Sequence, residues 1–149
     1  MLKDSLKLKG RVGIVLKDKD GKVKETREID NLVVDTGLAF IASRMKDATA
    51  TAMTHMALGS GSTAAAHNNT ALGSQLGSRE ALDSTTVTSN AVAYVASFEA
   101  GDATGAVTEA GLFNASSGGT MLCRTVFSVV NKLADDSMTV TWTVTISAS

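Results

Sequence analysis

Apolar and polar residues alternate with a period of two through most of this chain. From Leu6 to Leu16 the even positions read Leu6, Leu8, Gly10, Val12, Ile14 and Leu16, while Lys7, Lys9, Arg11 and Lys17 take odd ones. That alternation predicts a half-buried strand with a charged outer face. Asp18-Lys19-Asp20-Gly21 predicts a hairpin turn, because Asp side chains suit turn geometry and Gly supplies positive φ. Lys22 to Asn31 then returns as a partner strand anchored by Val23 and Ile29. Its many charges mark it as an edge strand, where they discourage unwanted pairing.

One segment changes period. Leu38, Ile41, Ala42 and Met45 follow helical spacing, which predicts a helix from Thr36 to Lys46 with Asp35 or Thr36 as its cap. Met53 to Leu58 is a short apolar run read as a strand, Gly59 to Asn69 a loop, and Thr70 to Leu76 one helical turn. The C-terminal half returns to period two. Val92 to Phe98 and Val107 to Asn114 read as strands. Thr120 to Val130 is apolar on both faces and is therefore expected to be central. In the last strand Met138, Val140, Trp142, Val144 and Ile146 face one way, and Thr139, Thr141, Thr143, Thr145 and Ser147 the other. Seven or eight short strands joined by turns, with one short α-helix, predict a mainly β protein: an antiparallel β-sandwich or jelly roll. Its 149 residues fit a single domain, 1–149, with residues 1–9 expected as an extended N-terminal arm.

Charge changes this picture in one respect. The net charge is −1, which argues against direct nucleic-acid binding. Yet residues 1–30 hold nine Lys/Arg and six Asp/Glu, leaving the rest of the chain acidic. The plain reading is a solvated strand face; the alternative is a basic arm that docks on an acidic partner. On the second reading the expected partner contacts are Leu2, Lys3, Leu6, Lys7, Lys9 and Arg11. No run approaches the length of a membrane span, and Met1-Leu2-Lys3-Asp4 is not followed by an apolar signal region.

Candidate chemistry is sparse. Gly59-Ser60-Gly61-Ser62-Thr63 lacks the Lys of a phosphate loop and reads as a flexible loop. His55 and His67 lie twelve apart without companion ligands, so no metal is expected. Asp135-Asp136 precede a strand and read as turn formers; Cys123, in an alternating apolar stretch, reads as a core residue. No Ser, His and acid fall in a nucleophile-elbow pattern. The expectation is a non-enzyme without catalytic, cofactor or metal site.

Several blocks together resemble a group of small tailed-bacteriophage structural proteins. They are Ala57-Leu58-Gly59-Ser60-Gly61-Ser62, Asn69-Thr70-Ala71-Leu72 with Arg79, and Thr108-Glu109-Ala110-Gly111-Leu112-Phe113-Asn114. Gly118-Gly119-Thr120-Met121-Leu122-Cys123-Arg124 and Asp136 to Val144 continue the series, and Asn31 to Leu38 before the helix also fits. Such segments occur in capsid cement (decoration) proteins and in the bases of tail or head fibres. The chain stops after its last strand and carries no shaft-building repeat, which favours the cement reading; a fibre-base or adsorption-apparatus adaptor is the alternative. The resemblance implies a virion protein made in the bacterial host cytoplasm and carried on the capsid surface. Its implied partners are the major capsid protein and, as a dimer or trimer, itself; no membrane and no cofactor are implied.

Overall fold

A computed structural model describes residues 4–46 and 50–148. The protein is a two-layer antiparallel β-sandwich. Its strands are β1 (Leu6–Lys17), β2 (Val23–Asp30), β3 (Leu32–Val33), β4 (His55–Gly59), β5 (Glu80–Ala81), β6 (Ser84–Thr88), β7 (Ala91–Phe98), β8 (Gly105–Phe113), β9 (Met121–Lys132) and β10 (Ser137–Ala148), with helix α1 (Asp35–Arg44) between β3 and β4. One sheet, A, runs β2-β1-β10-β7-β6; the other, B, runs β3-β9-β8-β4-β5.

The alternation read from the sequence sets the faces of sheet A. Val12, Ile14 and Leu16 of β1 are buried, as are Met138, Val140, Trp142 and Val144 of β10 and Tyr94, Ala96 and Phe98 of β7. They meet Met56, Leu58, Val107, Ala110, Leu112 and Val130 of sheet B in one core. In β8 a bulge between Val107 and Glu109 resets the alternation. Val107, Ala110 and Leu112 therefore face this core, while Phe113 joins a second small cluster with Val34, Ala57 and Met121 on the far side of sheet B.

The hairpin turn forms as its residues require. Asp18 Oδ1 accepts the backbone N–H groups of Asp20 and Lys22, each at 2.9 Å, and Gly21 takes φ +82°. β2 is indeed the edge of sheet A. Asp136 closes the β9–β10 turn by accepting Leu133 N–H at 2.9 Å, and Cys123 is buried in β9.

Several expectations change. The described residues hold ten strands, because Ser84–Thr88 pairs with β7 and two-residue strands flank sheet B. β9 is an inner strand of sheet B, as expected, but β3 flanks it at two residues only; it is buried on both faces around Cys123 because α1 and a loop cover it. The residue before the helix is Val34, with no side-chain cap: Thr36 Oγ1 instead donates to the Met121 carbonyl at 2.8 Å. α1 lies so close to β9 that a Cβ at Gly37 would run into the Leu122 carbonyl. Residues 70–76 form no helical turn, since their N–H groups are drawn to a carboxylate described below. Finally, residues 6–9 are not an extended arm: they belong to β1 and pair along β10 from Leu6↔Ala148 onward, while residues 1–3 lie outside the described residues.

Candidate functional site

The outer faces of the two sheets are finished differently. Sheet B is covered by the chain itself. Residues 60–79 fold back over it, pairing at Gly59↔Gln75 and bonding Ser60 N–H to the Ser74 carbonyl at 2.8 Å. Leu72 packs against the Phe113 cluster, and the Arg79 guanidinium stacks 3.6 Å from the Phe113 ring centroid. Arg79 also donates to the carbonyls of Ala115 and Gly118, at 2.8 and 2.9 Å.

Glu109 anchors this cover. Its Oε1 accepts N–H bonds from Gly61 (2.9 Å) and Ser74 (2.7 Å), and its Oε2 one from Gly73 (2.9 Å). Oε2 also accepts two bonds from Arg124, Nε at 3.1 Å and Nη2 at 2.8 Å. Arg124 reaches onward to Asn69 Oδ1 and the Thr63 carbonyl. Burial pushes the Glu109 carboxyl upward, but the Ser74 and Gly73 N–H groups, Arg124 and Gly61 together hold it below the usual carboxylate range. A carboxylate so fully occupied has no lone pair left for acid–base work. The glycine-rich stretch is therefore a cradle for an internal carboxylate. The blocks Gly59 to Ser62, Asn69 to Leu72, Thr108 to Asn114 and Met121 to Arg124 meet in this one network.

Sheet A has no such cover among the described residues. Opposite the core-facing positions, β10 presents Thr139, Thr141, Thr143 and Thr145, β7 presents Ala91, Ala93, Val95 and Ser97, and β6 presents Ser84, Thr86 and Thr88. These three strands carry no charge on that face. Charge gathers at the two margins: Asp83 accepts from Ser97 Oγ at 2.7 Å beside β6, and at β1 and β2 an open depression of about 900 Å³ over Gly13 is lined by Arg11, Glu28, Thr141 and Thr143. Five strands at ~4.8 Å spacing and ~27 Å length give roughly 600 Å² of flat surface. A standard interface takes about 800 Å² from each partner.

The residues expected to touch a partner divide on this surface. Leu2 and Lys3 lie outside the described residues. Leu6, 75% exposed, overhangs the end of β1. Lys7 and Lys9 are exposed on the outer face opposite Ser147 and Thr145, and they form no ion pair among the described residues. Arg11, half-exposed on the same face, is held by the Glu28 carboxylate through Nε and Nη2, with Asp30 at 3.7 Å. Arg27 pairs with Glu25 at 2.6 Å, and Lys24 with Asp136 at 2.7 Å. Much of the N-terminal charge is thus paired: across the hairpin at Arg11, within β2 at Arg27, and to the β9–β10 turn at Lys24. The Thr, Ala and Ser face is the larger surface; the alternate threonines of β10 mark it in the sequence, although they were not among the expected contacts.

Chemistry elsewhere is thin. His55 Nδ1 lies 2.8 Å from Thr54 Oγ1, and His67 gives only its carbonyl, to Asp35 N–H. Among the described residues no group of three His, Cys, Asp or Glu could hold a metal ion, and no helix is long and apolar enough to cross a membrane. No family model, curated protein or solved structure matches the chain.

Proposed function

We propose that this chain is a non-enzymatic virion protein of the capsid cement type, which binds and stabilises a shell built by a major capsid protein. The observation that carries the reading is the bare outer face of sheet A. Interface cores are depleted of charge, and here three adjacent strands present only Thr, Ser, Ala and Val to solvent. The resemblance of the blocks around Glu109 and Arg124 to phage virion proteins supplies the class of partner. Lys7 and Lys9 at the margin would steer docking toward an acidic rim and make it salt-sensitive.

A decoration acts by mass action: binding the assembled shell but not its separated subunits stabilises the shell by RT ln(1 + [L]/Kd) at each site. Many modest contacts suffice when they act together across a lattice.

The test is a particle lacking the protein. It should assemble yet release its genome at lower temperature than the complete particle, and added protein should restore resistance. Thr141→Lys with Thr143→Lys should leave the isolated fold intact and abolish the rescue. Lys7→Glu with Lys9→Glu should weaken it. Particles that keep full heat resistance without the protein but fail to adsorb to cells would overturn the reading in favour of a fibre-base adaptor.

A further inference from the structure

The four sheet edges are not equally protected. β2 is charged at Lys24, Glu25, Arg27, Glu28 and Asp30, while β3 and β5 are two residues long. Charge and shortness are the usual devices that keep a sheet edge from pairing with another chain. β6 has neither. Its sequence Ser-Thr-Thr-Val-Thr is uncharged, every residue is exposed, and among the described residues it pairs only with β7. Val87 is 70% exposed. Its register with Val92 turns it toward the sandwich interior. There, with Thr85, it borders an apolar cavity of about 330 Å³ lined by Phe40, Val92, Tyr94 and Val144.

We propose that β6 pairs antiparallel with β6 of a second copy of this chain, making a two-fold dimer with a continuous ten-stranded sheet. Antiparallel pairing keeps like faces together only when the axis passes through a residue, and Thr86 gives full overlap. Thr86 then lies beside its own copy, Ser84 opposite Thr88, and Thr85 opposite Val87. Thr–Thr pairs and a β-branched pair are favourable cross-strand neighbours. Val87 and its copy become diagonal neighbours, joining the two apolar cavities.

Charge points to the same occupant. The nearest acidic residue to the strand is Asp83, bonded to Ser97 Oγ. With the axis at Thr86 the two copies of Asp83 stand six residues apart along the sheet, roughly 20 Å, well beyond a Debye length of about 8 Å at physiological salt. A strand carrying its own charges would meet nothing complementary on Ser84–Thr88, whereas an identical strand meets only neutral partners. Such an edge-to-edge contact is isologous and closes at two copies. It makes roughly four to six backbone hydrogen bonds, so association should be weak and concentration-dependent. This inference does not depend on the capsid reading.

Sedimentation velocity on the purified full chain tests it. Wild type should pass from monomer to dimer between about 1 μM and about 500 μM. Thr86→Lys and Val87→Lys should each raise the dissociation constant at least tenfold, while the circular dichroism and melting of the dilute protein stay unchanged. Lys24→Thr on the opposite edge unpairs Asp136 and will cost some stability, but it should leave the dissociation constant unchanged. Thr86→Cys should cross-link to its copy with a short bis-maleimide faster than Ser84→Cys does; the native Cys123 is buried and will not react. A monomer throughout, a trimer, a dimer that survives both Lys substitutions, or faster cross-linking through position 84 would each overturn the proposal.

Discussion

Replacing Glu109 by Gln should unfasten the cover of sheet B, and the geometry sets the size of the effect. Both carboxylate oxygens are committed to donors: Oε1 to two backbone N–H groups, Oε2 to one backbone N–H and two guanidinium N–H groups. Either orientation of a Gln side chain therefore points its NH₂ at two or more donors, and the buried Arg124 loses its counter-charge. Breaking a buried pair in this way costs about 3–5 kcal/mol, which for a domain of this size lowers Tm by roughly 6–20 °C. Glu109→Met with Arg124→Met should lose less than the two single changes together, since no charge is left buried. The sign of the pH dependence follows from the depressed carboxyl. Its stabilisation is complete at neutral pH and fades as pH falls below the ordinary value of 4.5 toward the lower folded value. Urea titrations of wild type and Glu109→Gln should thus differ most near neutral pH and converge in acid, where a protonated carboxyl resembles the amide. Hydrogen exchange at Gly61, Gly73 and Ser74 should accelerate in the variant. A loss below about 1 kcal/mol, or a gap that does not narrow in acid, would refute the anchoring role.

Two further substitutions test the packing. Trp142→Ala, fully buried, should cost about 3–5 kcal/mol. Thr141→Ala, exposed beside it, should stay within about 0.5 kcal/mol in the same urea titration; the reverse order would invert the face assignment. Gly37→Ala should cost roughly 1–3 kcal/mol by forcing α1 away from the Leu122 carbonyl. Gly13→Ala, whose new methyl would meet its nearest atom at 3.8 Å, should be tolerated.

The strands that could be read from the sequence are those whose two faces see different surroundings. β1, β7 and β10 alternate because one face is core and the other solvent. β6 escaped notice because all five residues are exposed, so burial imprints no alternation on Ser84–Thr88. β3 and β5 are too short to carry a period. The helix was legible from its spacing, but its cap was not, since the Thr36 hydroxyl serves a carbonyl eighty-five residues away. The Glu109–Arg124 anchor did leave a trace: Glu109 is the one charge in β8, and Arg124 sits in an apolar run of β9, eight residues from its other charge, Lys132. Isolated opposite charges at such positions are buried only when paired. The pairing of Arg11 was not legible, because charge was counted along the chain, whereas its partners Glu28 and Asp30 lie across the hairpin.

The contrast between the two outer faces bears on function more directly than any single residue. A solvent-facing strand position tolerates Lys or Glu at little cost to the fold, and such charges improve solubility and block unwanted pairing. β1 and β2 use them freely. On β10, by contrast, Thr139, Thr141, Thr143 and Thr145 repeat without a charge, next to Ala91, Ala93 and Val95 of β7. Threonine keeps the β-branching that suits a strand while adding no charge that a partner would have to desolvate. Folding disfavours a Lys at Thr143 and Thr145, which stand opposite Arg11 and Lys9, but it gives no reason to exclude a carboxylate there, since Glu would pair with either. A partner that covers the face does, because each buried charge would weaken the contact. Thr141→Lys separates the two explanations: little change in the stability of the isolated chain together with lost binding to the shell places the selection on the interface. Equal loss of both would return it to the fold.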